Sequence, residues 1–162
     1  MAVLAGCGLI YEYLLSAYAG RILGTVESTI YTMIGLMIVS MGLGAFAARA
    51  FKEPFTTFAW LESLIAFFGV SCILLIALAV SFSAVLPRVI AETFSLPPDL
   101  VPSGGLLEGL QSLAQLTPYL FGTIIGFFIG MEIPLIARVR EKVHGEHLEH
   151  NAGTIYGADY IG

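Results

Sequence analysis

This chain of 162 residues is 57% hydrophobic, only 12% charged, and carries a formal net charge of −5. A soluble domain is about a quarter charged, so half that value combined with long apolar runs places the chain in the membrane class, as one helical bundle. The acidic balance and the lack of a basic patch exclude a nucleic-acid binder, and Cys7 and Cys72, both in apolar runs, give neither a disulfide framework nor a metal-type spacing.

In chain order, the apolar runs predict four spans over residues 2–22, 28–48, 55–86 and 118–137. Strand alternation is absent, so the expected fold is all-α, a polytopic transmembrane helical bundle occupying residues 1–138. Glu53-Pro54 places an acid and a proline where a helix starts well. Pro87, Pro97, Pro98 and Pro102 predict a loop over 87–105, with room for one short helical turn at 89–94. In 106–116, Leu106, Leu107, Leu110, Leu113 and Ala114 fall on one helical face, opposite Glu108, Gln111, Ser112 and Gln115. That pattern predicts an interfacial amphipathic helix, and Thr117-Pro118 is expected to restart the chain as a separate span.

With the N-terminus inside, the inner loops hold Arg49, Lys52, Arg138, Arg140 and Lys142, and the outer loops only Arg21 and Arg88. The positive-inside rule therefore places the N-terminus and residues 139–150 in the cytoplasm. Residues 139–162 read as a charged tail followed by the start of a possible further helix, with Tyr156, Tyr160 and Ile161. His144, His147 and His150, with Glu146 and Glu149 between them, read as a solvated face and not as a metal set, because Gly145 weakens the helix that would align them.

Three carboxylates lie inside predicted spans: Glu12, Glu62 and Glu132. Intramembrane acids are costly and usually face the bundle interior. At a rise of about 1.5 Å per residue, Glu132 lies about 9 Å from Arg138 and Glu62 roughly 12 Å from Pro54, which gives them a shared level, with Glu12 deeper by a few ångströms. One reading is a binding site for a cation, a proton or an amine, with Tyr11 and Gly130 beside the acids. The other is that each acid is neutral or hydrogen-bonded and only ties helices together. Pro134 withdraws the backbone donor from the carbonyl of Gly130, and a free carbonyl near a carboxylate suits a cation, or it marks a packing kink. Gly122, Gly126 and Gly130 recur every four residues, the small-xxx-small pattern of close helix approach, and Gly35, Gly42 and Gly44 read the same way. No nucleophile–histidine–acid set, phosphate loop or dinucleotide fingerprint occurs, so no catalytic residue and no cofactor is expected from these residues.

Four elements then occur in order: Cys7-Gly-Leu-Ile-Tyr11-Glu12-Tyr-Leu-Leu-Ser, Gly35 to Met41-Gly-Leu-Gly44, Gly130-Met-Glu132-Ile-Pro134-Leu, and Asp159-Tyr160-Ile-Gly162. Together they resemble the N-terminal membrane part of bacterial spermidine synthase-like proteins. The resemblance covers nearly the whole chain, and Tyr-Glu and Gly-Met-Glu-Ile-Pro-Leu are its most specific parts. It implies a bacterial inner-membrane bundle followed by further spans and a Rossmann-like aminopropyltransferase domain. Aminopropyl transfer falls on no residue of this sequence, which leaves a truncated chain, a fragment and a short relative as open readings. The expected role is a membrane module that anchors or serves such a domain and binds a polyamine or another small cation. The alternatives are part of a small-cation or amine transporter, and a structural subunit of an oligomer or larger membrane complex. The lipid bilayer is the expected partner in every case.

Overall fold

A computed structural model describes residues 2–24, 26–95 and 104–144, with the single positions 153 and 157. These residues form four helices and no strand: α1 (Ala2–Leu23), α2 (Val26–Ala47), α3 (Pro54–Thr93) and α4 (Leu106–His144), with a 3-10 turn at Ala48–Ala50 after α2. Helices at 26–50, 54–93 and 106–143 are long and apolar enough to cross a membrane, by length and composition.

The first two boundaries have local causes. Gly24 adopts φ +75° and its N–H donates to the Gly20 carbonyl at 3.1 Å, a left-handed cap that ends α1 and turns the chain into α2. The turn is tight enough that a Cβ on Gly20 would stand 3.1 Å from the Val26 backbone. Pro54 occupies the start of α3, where its missing N–H costs nothing, after the acidic Glu53.

Two expected breaks do not occur. α3 continues past Leu86 through Pro87 to Thr93, so most of the predicted 87–105 loop that is described is helix. Segments 106–116 and 118–137 form one helix, α4, that runs through Thr117-Pro118 and Pro134. Pro87 and Pro118 are both buried. Burial within the bundle offsets the one backbone hydrogen bond that each proline omits. His147, His150, Tyr156 and Tyr160, and the readings given for them above, lie outside the described residues.

The packing fixes the helix directions. Along α2 and α4 the contacts advance together: a Cβ on Gly122 would meet Met33, one on Gly126 Met37, and one on Gly130 Met41. These helices are therefore parallel. Glu53 pairs with Lys142 at one end of α3, while Cys72 and Ile76 share a core cluster with Ile125 further along, so α3 runs antiparallel to α4. Gly8 of α1 faces Ile129, and Leu15 joins the cluster of Ile125, so α1 is also antiparallel to α4. The result is an up–down–up–down bundle. Its upper core is Leu15, Ala19, Met33, Met37, Cys72, Ile76 and Ile125. Its second core, nearer Arg138, is Ala48, Leu61, Ile65, Met131 and Leu135.

The α2–α4 seam is the closest contact. A Cβ on Gly126 would lie 3.0 Å from the Met37 carbonyl oxygen, and one on Gly130 or Gly44 would collide with the carbonyl of Met41 or Phe127. Gly42 and Gly35 take no part: both are exposed, and a Cβ on either meets nothing within 4 Å. The reason is angular. The buried stripe of α2 is Thr29, Met33, Met37, Ser40 and Gly44, and residues two positions from a stripe member point to the other side of a helix.

Substitution should separate these glycines. Gly130→Ala should destabilise the bundle by about 1–3 kcal/mol, through overpacking against backbone that has no side chain to move aside. Gly42→Ala should be neutral or stabilise by up to about 1 kcal/mol, through helix propensity alone. Thermal unfolding in detergent compares the two, and equal effects would contradict the seam.

Candidate functional site

The site is built at the end of the bundle where α2 finishes, α3 starts and α4 carries Arg138. Tyr11, Phe58, Phe127, Phe128 and Ile129 line the second core there. Glu62 follows Leu61 and Glu132 follows Met131, both members of that core, so the two carboxylates share a level as their helix positions predict.

Their faces agree as well. Gly69 of α3 meets the Tyr11 ring of α1, and Glu62 lies seven residues, or two turns, before it on the same face. Ile129 of α4 meets Gly8 of α1, and Glu132 follows it by three residues, again on the same face. Both acids thus lie on the α1-facing sides of their helices. Glu132 is 8% exposed and engaged in a polar or electrostatic interaction. Glu62 is half-buried, and its Oε1 is shielded from solvent without a hydrogen-bond partner among the described residues.

Glu12 is placed differently from the expectation. It is half-buried on the α4-facing side of α1, one turn beyond Gly8. The antiparallel register brings it near the level of Ile125, which is roughly 10 Å from Glu132 along the bundle and not a few ångströms. Tyr11 stands beside it in sequence but turns toward α3, where its ring lies over Gly69 and rules out any larger residue at that position without displacement. Gly130 belongs to the α2–α4 seam, and Gly130 and Glu132, two residues apart, occupy different sides of α4.

Sequence reasoning missed two residues. One is Gly69, which makes room for Tyr11. The other is Arg138, counted only as a loop charge. Its guanidinium donates from Nη1 to the Phe51 carbonyl at 2.8 Å, from Nη2 to the Ala48 carbonyl, and from Nε to the Pro134 carbonyl at 3.5 Å. Ala48 and Phe51 bound the turn that ends α2, so a side chain from α4 caps the exposed carbonyls of a neighbouring helix. No sequence pattern marks that role, because backbone acceptors have no residue signature. No group of three or more His, Cys, Asp or Glu side chains among the described residues could hold a metal ion.

Two carboxylates face one helix from a common level, aromatic rings line the same region, and the nearest arginine is committed to backbone carbonyls. Replacing Arg138 with Ala should cost about 1.5–3 kcal/mol, the range for charge-assisted hydrogen bonds, and Arg138→Lys should recover only part because one ammonium cannot reproduce the planar fork. Unfolding midpoints of the three proteins in detergent test this, and full rescue by lysine would show that charge alone suffices.

Comparison with known proteins adds what the geometry alone does not. A polyamine aminopropyltransferase of Shewanella oneidensis is 64% identical over 162 residues, which is 100% of this chain and 28% of that relative. A polyamine aminopropyltransferase 2 of Ralstonia nicotianae is 30% identical over 163 residues, covering 99% of this chain and 26% of its own length. A polyamine aminopropyltransferase 1 of Streptomyces coelicolor is 24% identical over 160 residues, covering 98% of this chain and 25% of its own length. The chain spans about a quarter of the length of the curated relatives it matches. No family model matches the chain, and no solved structure matches it. Read with the helical bundle and the Gly-Met-Glu-Ile-Pro-Leu segment at its core, these matches identify the chain as a homologue of the N-terminal part of polyamine aminopropyltransferases, the spermidine synthase-like proteins.

Proposed function

We propose that this chain is the membrane module of a polyamine aminopropyltransferase-like protein, holding an aminopropyltransferase domain at the inner face of a bacterial inner membrane. The observation that carries the reading is the match of the whole chain to relatives of that name. Two features support the membrane placement. Three helices have the length and composition to span. Large apolar side chains are also exposed on the outside of the bundle, among them Tyr31, Leu43, Trp60, Phe67 and Leu74, as expected of helices surrounded by hydrocarbon. The basic residues gather at the Arg138 end, which favours a cytoplasmic location for that end and for the α1 N-terminus beside it.

Within this module, Glu62 and Glu132 are the residues for a polyamine or another small cation. A protonated amine gains a charge-assisted hydrogen bond from a carboxylate, and the Tyr11 and Phe58 rings offer apolar contact to its methylene spacers and cation–π contact to its ammonium groups. The pair sits toward the end where a catalytic domain would stand. No bond-making step is assigned to these residues; aminopropyl transfer belongs to a domain outside this sequence.

Equilibrium dialysis of radiolabelled spermidine against the purified chain tests amine binding. Glu62→Gln with Glu132→Gln should lower affinity at least about tenfold, since each removes a charge-assisted contact to a desolvated ammonium. Glu12→Gln should have a smaller effect because of its different level. Equal binding by the wild type and the double variant would remove the amine site and leave the anchor. Reporter fusions at residue 1 and after residue 144 should both report a cytoplasmic location, and a split result would contradict the orientation.

A further inference from the structure

The two ends of the bundle differ in charge, and at one of them the charges do not all serve the fold. Among the described residues, the Arg138 end holds Arg49, Lys52, Arg138, Arg140 and Lys142 against Glu53 and Glu141. The opposite end holds Arg21 and Arg88 against Glu27, Glu92 and Glu108. Arg138 is committed to the carbonyls of Ala48, Phe51 and Pro134. Lys142 pairs with Glu53 at 3.6 Å. That leaves Arg49, Lys52 and Arg140.

Arg49 has a specific placement. Its guanidinium carbon lies 5.3 Å from the ring centroid of Phe46, which is 67% exposed on the outer face of α2. The arginine thus lies along the apolar outer wall at the end of a helix, the boundary position of a snorkelling side chain. Lys52 is exposed in the turn that follows, and Arg140, half-buried, lies two residues beyond Arg138 on α4. The turn that carries Arg49 and Lys52 is held against α4 by Arg138, and Arg140, two residues from Arg138, stands on another side of α4, so the three cations are distributed around the same end of the bundle.

We propose that Arg49, Lys52 and Arg140 bind the phosphates of anionic phospholipid headgroups around the Arg138 end. The proposal rests on the membrane reading given above. A phosphate takes charge-assisted hydrogen bonds from guanidinium and ammonium groups, and the acyl chains below it meet exposed Phe46. The acidic majority at the opposite end gives no such surface. Each Lys or Arg near an anionic surface is worth about fivefold in association.

Full-length chain is reconstituted in phosphatidylcholine vesicles containing a trace of spin-labelled phosphatidylglycerol or spin-labelled phosphatidylcholine, and electron spin resonance gives the relative association of each lipid with the protein. The wild type should favour phosphatidylglycerol roughly tenfold, falling with added sodium chloride. R49Q/K52Q/R140Q should bring the ratio to within about twofold of unity, and R21Q/R88Q should leave it unchanged. Inorganic phosphate, compared with chloride at equal ionic strength, should not displace the lipid. Wild-type selectivity in the triple variant, or equal loss in the opposite-end variant, overturns the proposal. Displacement by phosphate but not chloride also overturns it, in favour of a site for free phosphate. Absence of any motionally restricted phosphatidylcholine around the wild type removes the membrane reading as well, whereas restricted phosphatidylcholine without phosphatidylglycerol preference removes only the headgroup surface.

Discussion

The contact on which the bundle depends is backbone against backbone. At Gly130 and at Gly44 the facing groups are the carbonyls of Met41 and Phe127, so each helix offers a glycine to a main-chain oxygen of the other. At such close approach dispersion and Cα–H···O contacts hold the two helices together with no side chain between them. α2 and α4 are parallel along this seam, and that alignment brings Arg138 of α4 to the carbonyl end of α2. It also fixes the rotation of α4. With Gly130 turned to α2, Ile129 meets α1 and Met131 and Leu135 join the α3 core. Glu132 is thereby buried in the interior of the bundle.

The Arg138 end then separates its charges by task. One arginine closes the carbonyls of a turn, one lysine pairs with an acid, and three cations remain available on the rim. A count of lysine and arginine treats all five as equivalent indicators of orientation. Their geometry does not, and the difference matters because a committed arginine supports the bundle while an uncommitted one is available to a partner. The carboxylates follow a similar division. Glu62 and Glu132 share a level and a facing helix, whereas Glu12 stands alone about two turns away.

Much of this was legible in the sequence where the cause is local. The α1 and α2 limits read from the apolar runs lie within two residues of those observed, because polar residues and a turn interrupt the runs there. The common level of Glu62 and Glu132 followed from helix rise alone. Pro87 and Pro118 misled because a proline reads as a stop, while burial within the bundle sustains the helix through it. Gly42 and Gly44 looked equivalent in composition, yet two residues on a helix are opposite faces, and only the partner helix decides which one packs. The depth of Glu12 depended on the α1–α4 register, which Gly8 and Ile129 set across more than a hundred residues of chain. Arg138 and Gly69 were hidden for the same reason: their partners are a remote turn and a remote ring.

The parallel seam is the claim from which the level of the acids and the role of Arg138 both follow, and electron–electron spin-label distances in a lipid environment test it directly. Labels at Glu27 and Gln115, both exposed, should lie on the same end of the bundle and give a short distance. Labels at Glu27 and Arg140 should be separated along the bundle by roughly 37 Å, the rise of the intervening part of α4. The reverse order would mean that α2 and α4 run antiparallel, and neither the glycine seam nor the acid site built on it would stand.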